Sequence, residues 1–214
     1  MPDYIEYMGL DVRGIFLTHP DSDHAAGLAE VLSVCAPDAI YVPYKWDEID
    51  DAGEDVLRGM ELARQMGVEI VYLSAGDEMM LPGGSFLTVW SPGDDPRLDD
   101  SNEISLVFSV ERGEGSVLFT GDIPISAEPD YLPDVDVLQV AHHGAKSSTG
   151  KEGLLQMTPS VAVISVGENR YGHPTQEALE RLAEVGAVIY RTDESGAVTV
   201  RIFRDGRVYV KGTI

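Results

Sequence analysis

Five histidines and a set of aspartates are the residues of this sequence best suited to chemistry. His19, His24, His142, His143 and His173 are its five histidines, and each falls in a loop just after a segment that reads as a strand. The densest group is Thr18-His19-Pro20-Asp21-Ser22-Asp23-His24, where four potential ligands occupy six positions. Irregular backbone after a strand lets neighbouring side chains converge on one point. Imidazole and carboxylate donors without thiolates suit zinc, manganese or iron. Three later strand segments end in the same manner. Residues 117–120 run into Gly121-Asp122, 137–141 into His142-His143-Gly144, and 163–166 into a loop holding Asn169, Tyr171 and His173. Adjacent histidines at a strand end point to different sides, so His142 and His143 are not both expected on one ion. In layered α/β proteins, sites collect at one end of the strands.

The elements that must position these groups alternate. Helical spacing covers 3–8, 25–34, 54–66, 151–157 and 174–185, the last with Pro174 suited to a helix start. The helix over 54–66 is amphipathic, with Val56, Leu57, Met60, Leu62 and Ala63 apolar and Gly67 just past its end. Strands are predicted over 12–18, 39–42, 69–73, 135–141, 161–166, 188–191, 197–203 and 207–211. Between 78 and 120 the pattern is all β, with strands at 79–81, 86–90, 104–110 and 117–120. Turn signals PGG, SPGDDP and ERGEG separate them. No repeat or linker interrupts the chain. β-runs between two αβ stretches predict two packed sheets with helices outside, in a single domain over 1–214.

Composition narrows the function classes. The chain has 214 residues, with 15 basic against 37 acidic side chains and a net charge of −22. Such a balance argues against nucleic-acid binding by general electrostatics, because each phosphate contact needs a cation. The excess is uneven: residues 1–140 hold 6 basic and 29 acidic side chains, residues 141–214 hold 9 and 8. Two acidic patches, 46–55 and 93–103, read as solvated loops. One cysteine, Cys35, cannot form an internal disulfide. No apolar run approaches the roughly 18 residues of a membrane span, and the start lacks a basic signal-peptide region. The isolated chain is therefore expected in the cytoplasm.

The loop His19-Pro-Asp21-Ser-Asp23-His24 resembles the HxHxDH signature of the metallo-β-lactamase superfamily. The wider set THPDSDHAAGL, SNEISLVFSV, LFTGD, DVLQVAHHGAKSS, AVISVG, NRYGHP and RTDESGAV is similar, in order, to the C-terminal metallo-hydrolase domain of ComEC-type DNA-internalisation proteins. That resemblance spans about residues 18–200 and implies an α/β fold, a four-layer αββα sandwich, with a metal-dependent hydrolytic site. It implies that His19 and Asp21 hold one ion and Asp23 and His24 the other, with Asp122 between them. His142 is expected as the remaining ligand, with His143 or His173 as alternatives. Asp21 stands where the signature has His, a harder donor that shifts preference from zinc toward manganese. The superfamily's separate His between the first motif and the Gly-Asp strand is absent; Asn102 falls in that region and is a poor substitute for imidazole. Family domains also carry strands before the first motif, whereas 17 residues precede Thr18. Missing first strands, and an uncovered edge or apolar face near the start, are the expectation.

The function implied is a phosphodiesterase or nuclease-type domain of a DNA-uptake protein. Two divalent ions, zinc or manganese, would share a water, lower its pKa toward about 7, and direct the hydroxide at phosphorus. Asp23 is counted with the catalytic groups, and His143 or His173 would protonate the leaving group. Asn102, Lys146, Ser147, Ser148, Asn169 and Tyr171 are expected to hold the substrate, a phosphodiester or single-stranded DNA. Alternatives are a hydrolase of a small ester, lactone or phosphocholine, or a catalytically degenerate module assisting uptake. Membrane association would come through other parts of a larger ComEC-like protein.

Overall fold

A computed structural model describes residues 1–50, 52–93 and 100–214. Asp51, in the first acidic patch, and residues 94–99, in the second, lie outside the described residues. The elements run α1 (Pro2–Met8), β1 (Gly14–Phe16), α2 (Ser22–Ala25), α3 (Leu28–Leu32), β2 (Ala39–Pro43), α4 (Glu54–Met66) and β3 (Glu69–Leu73). They continue with β4 (Glu78–Leu81), β5 (Ser85–Ser91), β6 (Val107–Arg112), β7 (Gly115–Phe119), β8 (Val137–Gln139), α5 (Lys151–Met157), β9 (Val161–Ile164) and α6 (Gln176–Glu184). β10 (Val188–Arg191), α7 (Thr192–Ser195), β11 (Val198–Ile202) and β12 (Val208–Gly212) close the chain.

Strands β1, β2 and β3 form a parallel three-stranded sheet. A seven-stranded sheet has the order β10-β9-β8-β7-β6-β5-β4, parallel from β7 to β10 and antiparallel from β4 to β7. The split follows the connections. Tight turns with left-handed Gly83, Gly84 and Gly113 join β4 to β5 and β6 to β7, while parallel neighbours need crossovers, here α5 between β8 and β9 and α6 between β9 and β10. Three clusters separate the layers. Leu28, Leu32, Val56, Met60 and Ala63 of the helices pack on Ile40 and Val42 of the small sheet. Leu73, Leu87, Val89, Leu106 and Phe108 fill the space between the sheets, with Phe16 stacked on Tyr41 at 4.4 Å. Leu154, Met157 and Leu182 cover Leu118, Leu138, Ala162 and Ile164 on the outer face of the large sheet. The four layers are thus α, β, β, α, held mainly by apolar burial worth about 1.5–3 kcal/mol per large side chain.

The small sheet does not cover the whole inner face of the large one. Over β7, β8 and β9 the cover is the two-stranded hairpin β11–β12. A cavity of about 440 Å³ lies between them, walled by Val117, Phe119, Val137 and Val163 below and Val198, Val200 and Ile202 above.

Several boundaries differ from expectation for local reasons. The helix expected over 25–34 breaks into α2 and α3 at Gly27. The strand expected over 135–141 ends at Gln139, because His142, His143 and Gly144 all take left-handed backbone. Pro174 does not begin α6: Thr175 caps it, its Oγ1 accepting from the Ala178 N–H.

Candidate metal centre

The loops after β1, β7, β8 and β9 meet at one end of the sandwich and are tied by backbone hydrogen bonds. Leu106 N–H donates to Thr18 O at 2.8 Å, His142 N–H to Gly121 O at 3.1 Å, and Thr175 N–H to Gly144 O at 2.9 Å. Gly121 has to be glycine: its φ is +52°, and a Cβ there would lie 3.0 Å from Thr18 and 3.1 Å from Ser105. That close approach brings the Gly121-Asp122 turn against the first histidine loop. The neighbouring Asp122 N–H donates to Ser105 Oγ, itself fully buried.

Asp122 sits at the centre. Its Oδ1 lies 3.3 Å from His24 Nε2, and its Oδ2 lies 3.7 Å from His143 Nε2 and 3.9 Å from His142 Nε2. His19 and His24 stand with ring centroids 4.2 Å apart. Thr18 Oγ1 reaches Nδ1 of both rings, at 3.1 and 3.3 Å. A hydroxyl has one hydrogen, so at least one neutral ring donates from Nδ1 and keeps Nε2 as a bare ligand atom. His19 Nε2, His24 Nε2 and Asp122 Oδ1 are all buried without a hydrogen-bond partner. Buried polar atoms are rarely left so, and three of them converging is what a cation-binding donor set looks like. Donor atoms of His19, His24 and Asp122 lie within 4.8 Å of one another, and those of Asp23, His24 and His143 do likewise.

Electrostatics agree with a cation trap. Burial, reinforced by the neighbouring His24, pushes His19 down to about 4. Burial also works against a charged His24, but the carboxylate of Asp122 3.3 Å away, with Asp23 and Asp21, outweighs it and raises its pKa. Asp122 is opposed by burial in the same way, yet His24, His19 and His143 hold its carboxyl below the usual value.

A profile of the metallo-beta-lactamase superfamily matches residues 2–168. The chain belongs to that superfamily. Among curated relatives, ComE operon protein 3 of Bacillus subtilis is 35% identical over 193 residues, 87% of this chain and 24% of that protein. Recombination protein 2 of Haemophilus influenzae is 31% identical over 206 residues, 94% of this chain and 24% of that protein. The chain therefore spans about a quarter of the length of these relatives, which match the ComEC-type resemblance carried by its motif order. A solved structure from Parabacteroides distasonis, named "Putative metal-dependent hydrolase", shares the fold at TM-score 0.51 and 15% identity, over 88% of this chain and 80% of that one.

Seen as a superfamily site, the sequence-predicted residues divide. His19, Asp23, His24, Asp122 and His143 come together. Asp21 lies at the edge, its Oδ2 3.8 Å from His19 Nε2 and its Oδ1 accepting from Ser101 Oγ. His142, expected as the last ligand, falls outside both donor groups; its ring lies nearly perpendicular to that of His143, at 84°, and faces His173 at 5.8 Å. His143 takes the inner position because its Nδ1 donates to Ser165 O at 2.7 Å, turning Nε2 inward to 3.3 Å from Asp23 Oδ2. A backbone carbonyl on the far nitrogen is how ligating histidines are oriented.

The expected substrate groups fare differently. A cavity of about 420 Å³ opens beside the centre, lined by Asp23, His143, Ser165, Asn169, Tyr171 and His173 among others. Tyr171 stands 84% exposed on its rim, stacked on His173 at 6.0 Å. Asn169 is spent on its own loop: Oδ1 accepts from Tyr171 and His173 N–H, and Nδ2 donates to Gly167 and His173 O. Asn102 closes a local turn on Asp100 through its N–H and Nδ2, while its Oδ1 is buried without a hydrogen-bond partner. Lys146, Ser147 and Ser148 are not among the residues that line the cavity. Lys146 and Ser147 are exposed; Ser148 is fully buried, and Arg181 pins the turn through Lys146 O and Ser148 O. Thr18, Ser101, Ser105 and Ser165 support the site without standing out in the sequence. Hydroxyls and backbone carbonyls carry no spacing signal; only Thr18, first residue of the histidine motif, adjoins a recognisable one.

Proposed function

We propose that this chain is a metal-dependent phosphodiester hydrolase, acting as one domain over 1–214 in a ComEC-like DNA-uptake protein. The observation that carries this reading is the convergence of His19 Nε2, His24 Nε2 and Asp122 Oδ1, buried and unpartnered, beside a second donor group that opens to a 420 Å³ cavity. His19, His24 and Asp122 would hold one divalent ion, and Asp23 and His143 the other, with Asp122 facing both and Asp21 at the margin. Donors of nitrogen and oxygen alone admit zinc or manganese. Such ions supply Lewis acidity, lowering the pKa of a water toward about 7 and neutralising charge on phosphate oxygens.

The chain's own residues do the rest. Thr18 and Ser165 fix the imidazole orientations. A phosphoryl group held in this cavity would lie against Asp23 and His143. His173, in the same wall, is the group positioned to pass a proton to the leaving oxygen. Burial, with His142 and His143 nearby, keeps its pKa below the usual value, and an anionic substrate raises it again. The test is hydrolysis of a bis-aryl phosphate and of single-stranded DNA with added manganese or zinc. Turnover that is lost on Asp122→Ala supports the reading; no turnover with any metal, or equal turnover by the variant, overturns it. The net charge of −22 favours a second reading, a small ester or lactone substrate; intact DNA alongside rapid lactone hydrolysis would select it.

A further inference from the structure

The C-terminal hairpin reverses the charge of the molecule it belongs to. Residues 197–214 carry four basic side chains, Arg201, Arg204, Arg207 and Lys211, and one acid, Asp205, a net of +3. The remaining 196 residues carry 11 basic and 36 acidic side chains, a net of −25.

The register arranges these charges. Thr199 lies opposite Lys211, and Arg201 opposite Tyr209. The ladder continues with Phe203 N–H donating to Arg207 O, and the Arg207 guanidinium lies over the Phe203 ring at 5.4 Å. Alternation sends Val198, Val200 and Ile202 inward, onto the cavity above the large sheet. Thr199, Arg201, Phe203, Arg207, Tyr209 and Lys211 all face out and are exposed. The outer face is therefore a ladder of three rungs with one cation on each. The cation changes strand from rung to rung, and an aromatic ring stands opposite it on two of them. Among the described residues, Arg201 and Lys211 make no ion pair, while Arg207 pairs with Asp205. Successive rungs on one face are about 6.6 Å apart, an interval of the order that separates phosphates in an extended strand. Ser165 lines both the cavity under the hairpin's inner face and the one beside His143, so the hairpin as an element neighbours the candidate site, with the ladder on its far side.

We infer that the outer face of β11–β12 binds single-stranded nucleic acid. Lys211, Arg201 and Arg207 take successive phosphates, and Tyr209 and Phe203 offer stacking faces to bases. A narrow strand can follow a ribbon without meeting the acidic remainder of the surface; a flat anionic membrane cannot. Stacking on exposed rings tolerates any base, so binding is not sequence-specific. The inference extends the phosphodiesterase reading to long substrates, and it is tested without turnover.

The experiment titrates the metal-loaded full chain with a fluorescent phosphorothioate oligothymidylate, which resists cleavage, at several salt concentrations. Arg201→Glu/Lys211→Glu is expected to weaken binding more than 10-fold and to flatten the log–log salt slope by about 1.4, some 0.7 for each phosphate no longer neutralised. Tyr209→Ala is expected to weaken it about 5- to 150-fold, and Arg201→Lys to restore most of it. Hydrolysis of a bis-aryl phosphate reads the metal centre independently, so either reading can fail alone. Unchanged affinity and slope in the double variant, or capture of anionic vesicles but not of the oligonucleotide, overturns the inference.

Discussion

His24 Nε2 lies 3.3 Å from Asp122 Oδ1, although one follows β1 of the small sheet and the other β7 of the large one. The pair joins the two halves of the sandwich. Both atoms are buried and, among the described residues, neither has a hydrogen-bond partner. Each shifts the other toward its charged form, His24 upward and Asp122 downward. A cation placed there replaces the proton that the pair otherwise shares.

Asp122→Asn keeps volume and removes charge. Loss of outer partners of metal ligands costs roughly 10- to 100-fold, and loss of a central carboxylate should exceed that. Hydrolysis of a bis-aryl phosphate is expected to fall more than 100-fold, with metal content, read by elemental analysis, falling in parallel.

His143 and His142 should separate cleanly. His143→Ala removes the Nε2 that Ser165 aims at Asp23 and is expected to lower metal content by about one ion per chain. His142→Ala, outside both donor groups, should leave metal content unchanged. Elemental analysis of the two variants gives the answer.

About the fold, much was legible. α4, β3, α5 and β10 lie where periodicity put them. Periodic burial sets such elements, and alternation in residues 78–120 marked the antiparallel half. The donors were legible for a related reason: strand ends concentrate side chains, and His19, Asp23, His24 and Asp122 fall in the two donor groups. What was hidden depends on backbone geometry. The left-handed run His142-His143-Gly144 ends β8 early and decides which histidine faces inward, and no spacing rule encodes a positive φ at histidine. Asn169 looked like a substrate group because it is polar and close to His173; its four loop hydrogen bonds appear only in three dimensions.

Gly144 fixes that run. Its φ is +81°, and a Cβ there would lie 2.6 Å from Pro174 Cβ. Gly144→Ala should cost about 2–4 kcal/mol, from left-handed strain and overpacking together, and should displace both His143 and His173. Urea unfolding measures the first effect, and metal content the second.

Acid should destabilise the metal-free protein through His19. The unfolded side chain protonates near 6.5, while burial holds the folded one to about 4. Between those values the unfolded chain binds more protons, so stability falls as pH falls. From pH 7 to pH 5 this amounts to about 2 kcal/mol. His24, shifted the other way, opposes it, so the comparison needed is with His19→Gln, whose urea-derived stability should lose less over the same interval by about that amount.

Anomalous diffraction from crystals of the manganese-loaded protein tests the central claim most directly. Two peaks are expected, flanking Asp122, one ringed by His19, His24 and Asp122 and the other by Asp23 and His143, each within bonding distance of its donors. Peaks elsewhere on the surface, with none within bonding distance of Asp122, would contradict it.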